Sequence, residues 1–179
     1  MSSDRETLLR LRERDTAAFD AVFEAHRAGL FRFLVRMCGE VSAAEDLFQE
    51  TWLRFAREAP RLSLDTPVGP WLFRVARNLS VSRHRRASVF ARVNTWASSP
   101  SAPPSPLDGA AGSELLARLE AALLALRPRD REVILLVMVE GLSPKDAGIV
   151  LGLGAEATRQ RLSRARKALR AELAEFMEA

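Results

Sequence analysis

Residues 71–86, WLFRVARNLSVSRHRR, contain five arginines and one histidine but no acid. Cations held at fixed positions can bind phosphates, and aromatic or amide groups such as Trp71 and Asn78 can contact bases. Two alternative roles for the charge remain open. The dipole of a helix favours cations near its C-terminus, and an amphipathic helix can lie on a membrane surface, although these apolar residues are needed for a core. Taken alone, the segment favours a nucleic-acid surface only slightly.

A helix would position these groups on two faces. At about 100° per residue, one side gathers Leu72, Val75, Ala76 and Leu79, flanked by Trp71 and Phe73. The other side holds Arg74, Arg77, Asn78, Val81, His84 and Arg85. Arg83 and Arg86 fall where the apolar stripe would continue, so we expect the last turn to extend beyond the core.

A second basic segment lies within SPKDAGIVLGLGAEATRQRLSRARKALRAEL. Ser143 can cap a short helix, Pro144 suits its first position, and Asp146 stands at the reciprocal capping position. A glycine-containing turn at 152–154 leads into a longer basic helix. This order is typical of a helix-turn-helix, whose second helix enters a major groove. The alternative is a helical hairpin with a solvated basic face.

The longer helix also divides into two sides. We expect it to turn inward Thr158, Leu162, Ala165, Leu169 and Leu173. We expect it to turn outward Glu156, Arg159, Gln160, Ser163, Arg166 and Arg170. The outward side is therefore rich in arginine and contains a single acid.

A third segment, AEDLFQETWLRF, is also predicted to be helical. Ser42 and Glu45 have the spacing of a capping box, so the helix should begin at Ser42. Its inner side would contain Ala44, Leu47, Phe48, Thr51, Trp52 and Phe55. Its outer side places Leu53 among Glu45, Asp46, Gln49, Glu50 and Arg57. This outer side is either a solvated face with one exposed leucine or a partner surface with an apolar centre.

The whole chain is predicted to be all-α, because apolar residues recur at helical spacing and no strand alternation occurs. One further helix, capped by Asp15, would run to about Met37. Residues 98–113, SSPSAPPSPLDGAAGS, are rich in proline and small residues, as in extended tethers. We therefore predict two small helical domains, 1–90 and 114–179, joined by a flexible proline-rich linker at 91–113.

Composition and charge limit the function further. The 179 residues are 47% apolar and carry a net charge of +4. The excess is concentrated in residues 61–99, where seven arginines face Asp65 as the one acid, whereas residues 100–179 sum to zero. A concentrated positive patch favours an anionic partner over a general surface role.

Several classes of protein are disfavoured. Cys38 is the single cysteine and His26 and His84 are the histidines, so neither a disulfide framework nor a metal cluster is expected. The chain has no glycine-rich phosphate loop and no nucleophile–base pair, so we expect neither a cofactor nor an enzyme. The apolar run 133–139 is too short for membrane insertion and the N-terminus lacks a signal peptide. A cytoplasmic protein is expected.

The segments together resemble a known family. Residues 126–170 resemble region four of the extracytoplasmic-function sigma factors of bacterial RNA polymerase. Their sequence is LRPRDREVILLVMVEGLSPKDAGIVLGLGAEATRQRLSRARKALR. AEDLFQETWLRF is similar to their region two-point-two, and WLFRVARNLSVSRHRR to regions two-point-three and two-point-four. The three matches follow the family's order and cover nearly the whole chain.

The resemblance implies partners for each surface. It implies binding to core RNA polymerase, at the clamp helices of the largest subunit and at the flap, with clamp contacts from Asp46, Gln49, Glu50 and Leu53. It implies minus-ten promoter contacts, near a loop at 65–68 that receives a flipped base, from Asp65, Arg74, Arg77, Asn78, Ser82 and Arg85. It implies minus-thirty-five contacts from Arg159, Gln160, Ser163, Arg164 and Arg166. The linker would thread the polymerase channel, and an anti-sigma factor would be a further partner.

The chain departs from the family pattern at several positions. Ser82 stands in place of an acid, Gly154 in place of a capping serine, and Gly148 and Ile149 in place of an alanine and an acid. Glycine inside a helix should cost about 1 kcal/mol relative to alanine. The main alternative function is a stand-alone helix-turn-helix regulator that binds duplex DNA. A nucleic-acid-processing enzyme is disfavoured by the missing catalytic cluster.

Overall fold

The computed structural model describes residues 2–93 and 112–178, with side chains at 4–86, 114 and 116–174. Within these ranges the chain is all-α, as predicted, and contains no strand. The N-terminal helices are α1 (Ser2–Arg12), α2 (Thr16–Cys38), α3 (Val41–Glu58) and α4 (Val68–Val93). The C-terminal helices are α5 (Gly112–Ala125), α6 (Pro128–Ile134), α7 (Pro144–Leu151) and α8 (Ala155–Glu178). Most of the predicted linker lies outside the described residues.

Helices α2, α3 and α4 pack around an aromatic core. The rings of Phe33 and Phe73 meet edge to face with centroids 5.5 Å apart, and Phe55 lies 5.7 Å from Trp71. The predicted inner sides of α3 and α4 are confirmed, since Ala44, Phe55, Leu72 and Ala76 are each fully buried. The buried apolar residues of α6, α7 and α8 extend the same core.

Two of the predicted helix caps are confirmed. Asp15 is the N-cap of α2, and its Oδ1 accepts hydrogen bonds from the backbone N–H groups of Ala17 and Ala18. Ser143 Oγ accepts from the Asp146 N–H at 3.1 Å and donates to Asp146 Oδ2 at 2.7 Å. Both caps satisfy backbone donors that the first helical turn leaves unpaired.

The predicted capping box at Ser42 is wrong. Helix α3 begins one residue earlier, at Val41, and its N-cap Glu40 makes no side-chain capping bond. The Ser42 hydroxyl instead donates to Glu40 Oε1 at 2.6 Å. Because Val41 is already helical, Ser42 lies inside the first turn of α3 and does not occupy the N-cap position.

Helix α6 continues into a π-helical turn before the helix-turn-helix. The turn spans Leu135–Val139, and the Glu140 N–H donates to the Leu135 carbonyl at 2.9 Å. A π turn inserts one extra residue per turn and rotates the residues that follow it. Gly141 then adopts φ +70, which confirms it as the left-handed terminator.

Arg131 ties α6 to the end of α5. Its guanidinium donates to the carbonyl oxygens of Leu123, at 2.8 Å, Leu124 and Leu126. These carbonyls belong to the last turn of α5 and the residue after it, so the side chain acts as a C-terminal cap. Burial lowers the pKa of Arg131 from its ordinary value, but the three acceptors keep the cation hydrogen-bonded.

Gly148 is required where α7 meets the turn into α8. A Cβ at this position would lie 2.6 Å from the Leu153 carbonyl oxygen and 3.1 Å from Thr158 Oγ1. The same turn brings the Leu153 N–H within 2.9 Å of the Gly148 carbonyl. The helix-propensity cost of glycine is therefore offset by a close approach that only glycine permits.

Gly148→Ala should destabilise the protein although alanine is the better helix former. Overpacking against a backbone oxygen costs about 1–3 kcal/mol. The gain in helix propensity is about 1 kcal/mol, so the net loss of stability should reach up to about 2 kcal/mol. Thermal or urea unfolding measures the difference.

Gly154→Ser is the matched control. Open space surrounds the Cβ position at Gly154, and serine there can cap α8, so stability should rise by a few tenths of a kcal/mol. A Gly148→Ala variant as stable as the parent would contradict the packing role.

Candidate polymerase and nucleic-acid interfaces

The outer face of α4 gathers most of the predicted minus-ten contacts. Arg74, Asn78, Ser82 and Arg85 are exposed along this face, opposite the buried stripe of Leu72 and Ala76. Arg77 belongs to the same face but is half-buried, because its Nη2 lies 3.0 Å from Glu132 Oε2 of α6. The face is cationic, as a phosphate-binding helix requires.

The loop before α4 adds a small cavity to this face. The Thr66 N–H donates to the Ser63 carbonyl at 2.9 Å, and the Asp65 side chain is 89% exposed with Arg5 3.6 Å away. Beside it lies a cavity of about 280 Å³ lined by Ser63, Asp65, Thr66, Pro67, Trp71, Arg74 and Ile149. The loop residue predicted for the minus-ten site, Asp65, thus lines the same cavity as Arg74.

The prediction that Trp71 offers a surface for bases is wrong in this conformation. Trp71 is 4% exposed and its ring packs against Phe55. A base can stack only on an exposed ring, so this tryptophan contributes to the core and to the wall of the cavity. Trp71 lies at the boundary between the two faces of α4, and its ring is buried in the core.

The predicted two sides of α8 are confirmed. Thr158, Leu162, Ala165 and Leu169 are buried, and Thr158 Oγ1 donates to the Gly154 carbonyl at 2.9 Å. All of the predicted minus-thirty-five residues are exposed, namely Arg159, Gln160, Ser163, Arg164 and Arg166. This helix follows α7 and a left-handed Gly152, so the helix-turn-helix geometry is present.

Glu156 is a residue that the sequence pattern placed on the outer face without indicating a role. Its Oε2 accepts from Arg159 Nε at 3.0 Å and Nη2 at 2.6 Å, and its Oε1 accepts from Gln160 at 3.4 Å. The hydrogen bonds from Arg159 lower the pKa of Glu156 below its ordinary value. One acid thereby orients two of the side chains that are predicted to contact the minus-thirty-five element.

The outer side of α3 forms the third surface. Leu53 is 59% exposed at its centre, with exposed Asp46 and Gln49 beside it. Glu50 accepts from Arg54 Nε at 2.7 Å, and this hydrogen bond lowers the pKa of Glu50. The four predicted residues therefore share one face, with an apolar centre and a charged rim.

Residues that sequence reasoning missed lie where the two halves of the chain meet. Glu132 is 2% exposed and binds Arg77, and Ile149 lines the cavity beside Arg74. Ile149 could have been noticed from the sequence, because it stands where the family pattern has an acid. Nothing in the sequence indicated a role for Glu132, because its partner Arg77 lies 55 residues away.

Two family models match this chain. The model described as Sigma-70 region 2 matches residues 22–89, and that described as Sigma-70, region 4, matches residues 116–169. The ECF RNA polymerase sigma factor SigE of Mycolicibacterium smegmatis is 34% identical over 160 residues, covering 88% of this chain and 62% of SigE. The RNA polymerase sigma factor CarQ of Myxococcus xanthus is 34% identical over 170 residues, covering 93% of this chain and 95% of CarQ. The chain belongs to the extracytoplasmic-function sigma factors of the sigma-70 family.

The fold of this sigma factor matches a solved relative. It superposes on CnrH, solved in complex with the cytosolic domain of CnrY, with a TM-score of 0.73 and 26% identity over 96% of this chain and 97% of that one. As a member of this family, the chain is an alternative sigma factor that directs transcription initiation. A stand-alone helix-turn-helix regulator is not favoured, because region 2 is present as well as region 4.

Two kinds of feature are missing from the part of this sigma factor that the structure describes. Its histidine, cysteine and acidic side chains form no group that could hold a metal ion. Among the same residues, no helix combines the length and the apolar character that crossing a bilayer requires.

Proposed function

We propose that three surfaces of this sigma factor divide the work of promoter recognition. The outer face of α4 with its preceding loop binds the minus-ten element, the outer face of α8 reads the minus-thirty-five element, and the outer face of α3 binds core polymerase. The observation that carries this proposal is the solvent exposure of the predicted contact residues. Every contact residue except Glu50 and Arg77 is exposed, although each of these helices buries its opposite side.

At the minus-ten element, Arg74, Arg77 and Arg85 provide charge for phosphates while Asn78 and Ser82 offer hydrogen bonds. Ser82 stands where an acid is usual in the family, so this face is more cationic than the family pattern. Asp65 and the cavity of about 280 Å³ beside it support the placement of a flipped base there. Strand opening presents base edges that a duplex conceals, which makes such a cavity useful.

At the minus-thirty-five element, the first turns of α8 enter the major groove. Arg159 and Arg164 suit guanine edges or phosphates, and Gln160 can bind adenine through two hydrogen bonds. Arg166, which donates to Met138 Sδ at 3.5 Å, would contact the backbone. Glu156 holds Arg159 and Gln160 in place before DNA binds. The entropy lost in ordering these two side chains on binding is therefore smaller.

Core polymerase would bind the outer face of α3, with Leu53 as its apolar anchor and Asp46, Gln49 and Glu50 as its polar rim. The clamp helices of the largest subunit are the proposed site, and the flap is the proposed contact of the C-terminal domain.

An anti-sigma factor completes the set of partners. The related CnrH was solved with the cytosolic domain of CnrY, which supports protein-based control of this chain as well. A partner seated against either domain would compete with polymerase or promoter DNA.

Run-off transcription tests the proposed function as a whole. Core polymerase supplied with this protein should start transcripts at promoters within the upstream regions of its own genome, and core polymerase alone should not. If the protein leaves core unable to start at any of these regions, the assignment is wrong.

Leu53→Asp should weaken binding to core polymerase by at least about tenfold, because a central apolar anchor contributes about 2 kcal/mol or more. Since Leu53 is 59% exposed, the free energy of unfolding should change by less than about 0.5 kcal/mol. Fluorescence anisotropy with labelled protein and unlabelled core measures the affinity. The control Leu9→Asp makes the same change at a leucine of α1 that is 44% exposed, and equal losses in both variants would count against the α3 surface.

Glu156→Gln should reduce the discrimination between promoter duplex and random duplex by about threefold to tenfold, since it releases Arg159 and Gln160 from their oriented positions. Affinity for random duplex should rise, because an acid near the phosphates is lost. The control Glu114→Gln removes the same charge from α5, where Glu114 pairs with Arg118. Competition binding at one fixed salt concentration gives the ratio, and an unchanged ratio in Glu156→Gln would refute the orienting role.

A further inference from the structure

A larger cavity lies between the end of α1, the start of α2 and the end of α3. Its volume is about 590 Å³, which is within the range of cavities that hold small molecules. None of its lining residues belongs to the proposed promoter or polymerase contacts. The polar part of its wall is mainly arginine, and we call it the arginine cavity after Arg12, Arg14, Arg57 and Arg61.

The one acid that lines the arginine cavity is already neutralised. Asp15 Oδ2 accepts a hydrogen bond from Arg10 Nε at 2.8 Å, and Asp15 Oδ1 accepts from the N–H groups of Ala17 and Ala18. The hydrogen bond from Arg10 lowers the pKa of Asp15. Arg10 does not line the cavity, so its charge balances that of Asp15 and the four lining arginines remain in excess.

Three of the four arginines keep their charge available to a ligand. Arg12 Nη2 donates to the Leu62 carbonyl at 2.8 Å, but a carbonyl carries no net charge. Arg57 is 69% exposed, and its Nη2 lies 3.6 Å from Glu50 Oε1. Arg61, in the helical turn that follows α3, is exposed and forms no ion pair with any acid that the structure describes.

The fourth arginine, Arg14, occupies a backbone position that favours glycine. Its φ of +60 is the only positive φ among the non-glycine residues that the structure describes. The Arg14 N–H donates to the Leu11 carbonyl and the Asp15 N–H to the Arg10 carbonyl, each at 3.1 Å. These two bonds form the Schellman motif at the end of α1, whose left-handed position is usually glycine. Arginine is strained there, and strained residues of this kind cluster at functional sites.

The helix dipole alone does not account for Arg14. A cation near the C-terminus of α1 is favourable, but Arg10 and Arg12 already provide two in its last turn without backbone strain. What Arg14 adds is a further guanidinium on the cavity wall.

We propose that the arginine cavity binds a small phosphate-bearing molecule. A guanidinium group binds phosphate oxygens through two parallel hydrogen bonds. Four such groups around one cavity suit a ligand with more than one phosphate, such as pyrophosphate or a nucleoside polyphosphate. Arg14 and Arg61 are the principal binding residues, Arg12 and Arg57 add charge, and the Thr16 hydroxyl at the start of α2 offers a further hydrogen bond.

A DNA strand would present the same phosphate chemistry, but the cavity favours a small ligand. Its wall includes Leu11 and Phe19 as well as arginines, and its volume of about 590 Å³ matches a nucleotide-sized molecule. A ligand that combines phosphates with an apolar ring fits both parts of this wall.

The arginine cavity is linked to the loop of the proposed minus-ten site through Arg12. This side chain lines the cavity and also holds the Leu62 carbonyl, which begins the loop that carries Asp65. A phosphate that binds Arg12 competes with this carbonyl, so a bound ligand changes the restraint on the loop. This consequence rests on the proposed function, whereas ligand binding itself does not.

A titration of the full chain with pyrophosphate tests the site. In amide NMR spectra, the signals of residues 11–16 and 57–62 should shift and saturate as the concentration of pyrophosphate rises. The affinity should fall as salt is added, because the attraction is between charges. Attraction to arginines in general would instead shift the signals of the basic face of α8 over the same concentrations.

Two variants and a matched control identify the binding residues. Arg14→Gly and Arg61→Gln should each weaken pyrophosphate binding by about threefold to tenfold, since each loses an arginine–phosphate contact. Arg14→Gly should also raise Tm, because glycine adopts a positive φ without strain. Arg27→Gln removes the same charge from α2, where Arg27 pairs with Glu24, and should leave the affinity within about twofold of the parent.

Three results would overturn the proposal. They are the absence of saturating shifts around the cavity, shifts of α8 at the same concentrations, and an equal loss of affinity in Arg27→Gln. Binding to a short fluorescein-labelled single-stranded DNA distinguishes the source of the phosphate. If Arg14→Gly and Arg61→Gln weaken DNA binding while pyrophosphate does not bind, the phosphate belongs to a strand and the small-molecule assignment is wrong. Failure of run-off transcription would reject the proposed function and leave the pyrophosphate result unaffected.

Discussion

The permanent charge of the α4 arginines is the constraint on which the rest of the structure depends. A guanidinium group stays protonated in proteins and is expensive to bury without an anion, so every arginine on this helix must meet water, a carboxylate or a phosphate. The opposite side of α4 must at the same time bury Leu72 and Ala76 in the core. The core therefore fixes the orientation of the helix and leaves its cations pointing away. Arg77 finds a carboxylate at Glu132, whereas Arg74 and Asn78 remain exposed.

Features that depend on a few neighbouring residues could be predicted from the sequence. The caps at Asp15 and Ser143 are local, because the side chain and the backbone donors that it satisfies lie within three residues. The two sides of α8 follow from helical spacing alone, and so does the exposure of Leu53. The prediction failed at Ser42 because α3 begins one residue earlier than the capping pattern indicates, with Glu40 as its N-cap. It failed at Trp71 because a position between two faces can belong to either.

Contacts between distant segments could not be predicted in this way. A propensity scale assigns Gly148 a cost, but the Leu153 carbonyl that requires glycine is placed by the turn after α7. Arg32 and Glu140 are 108 residues apart, and no spacing rule relates them. The charge sum of residues 100–179 is zero, which conceals an acidic side facing the N-terminal domain and a basic side on α8. What matters is the direction in which each charge points, and only the packed helices determine it.

The packing of α6 and α7 against α2 and α4 leaves most residues of all three proposed surfaces exposed. Leu53 and Asp46 on α3 are exposed, and so are Arg159 and Gln160 on α8, although Arg77 is paired with Glu132. The proposed polymerase surface on α3 is therefore accessible without any rearrangement of the helices. Because a ligand shifts an equilibrium only through its differential affinity, a partner would separate the two halves only if it bound the separated form more tightly. Separation would also break the ion pairs of Arg77 with Glu132 and of Arg32 with Glu140, and it would expose the apolar residues of α7 that pack in the common core.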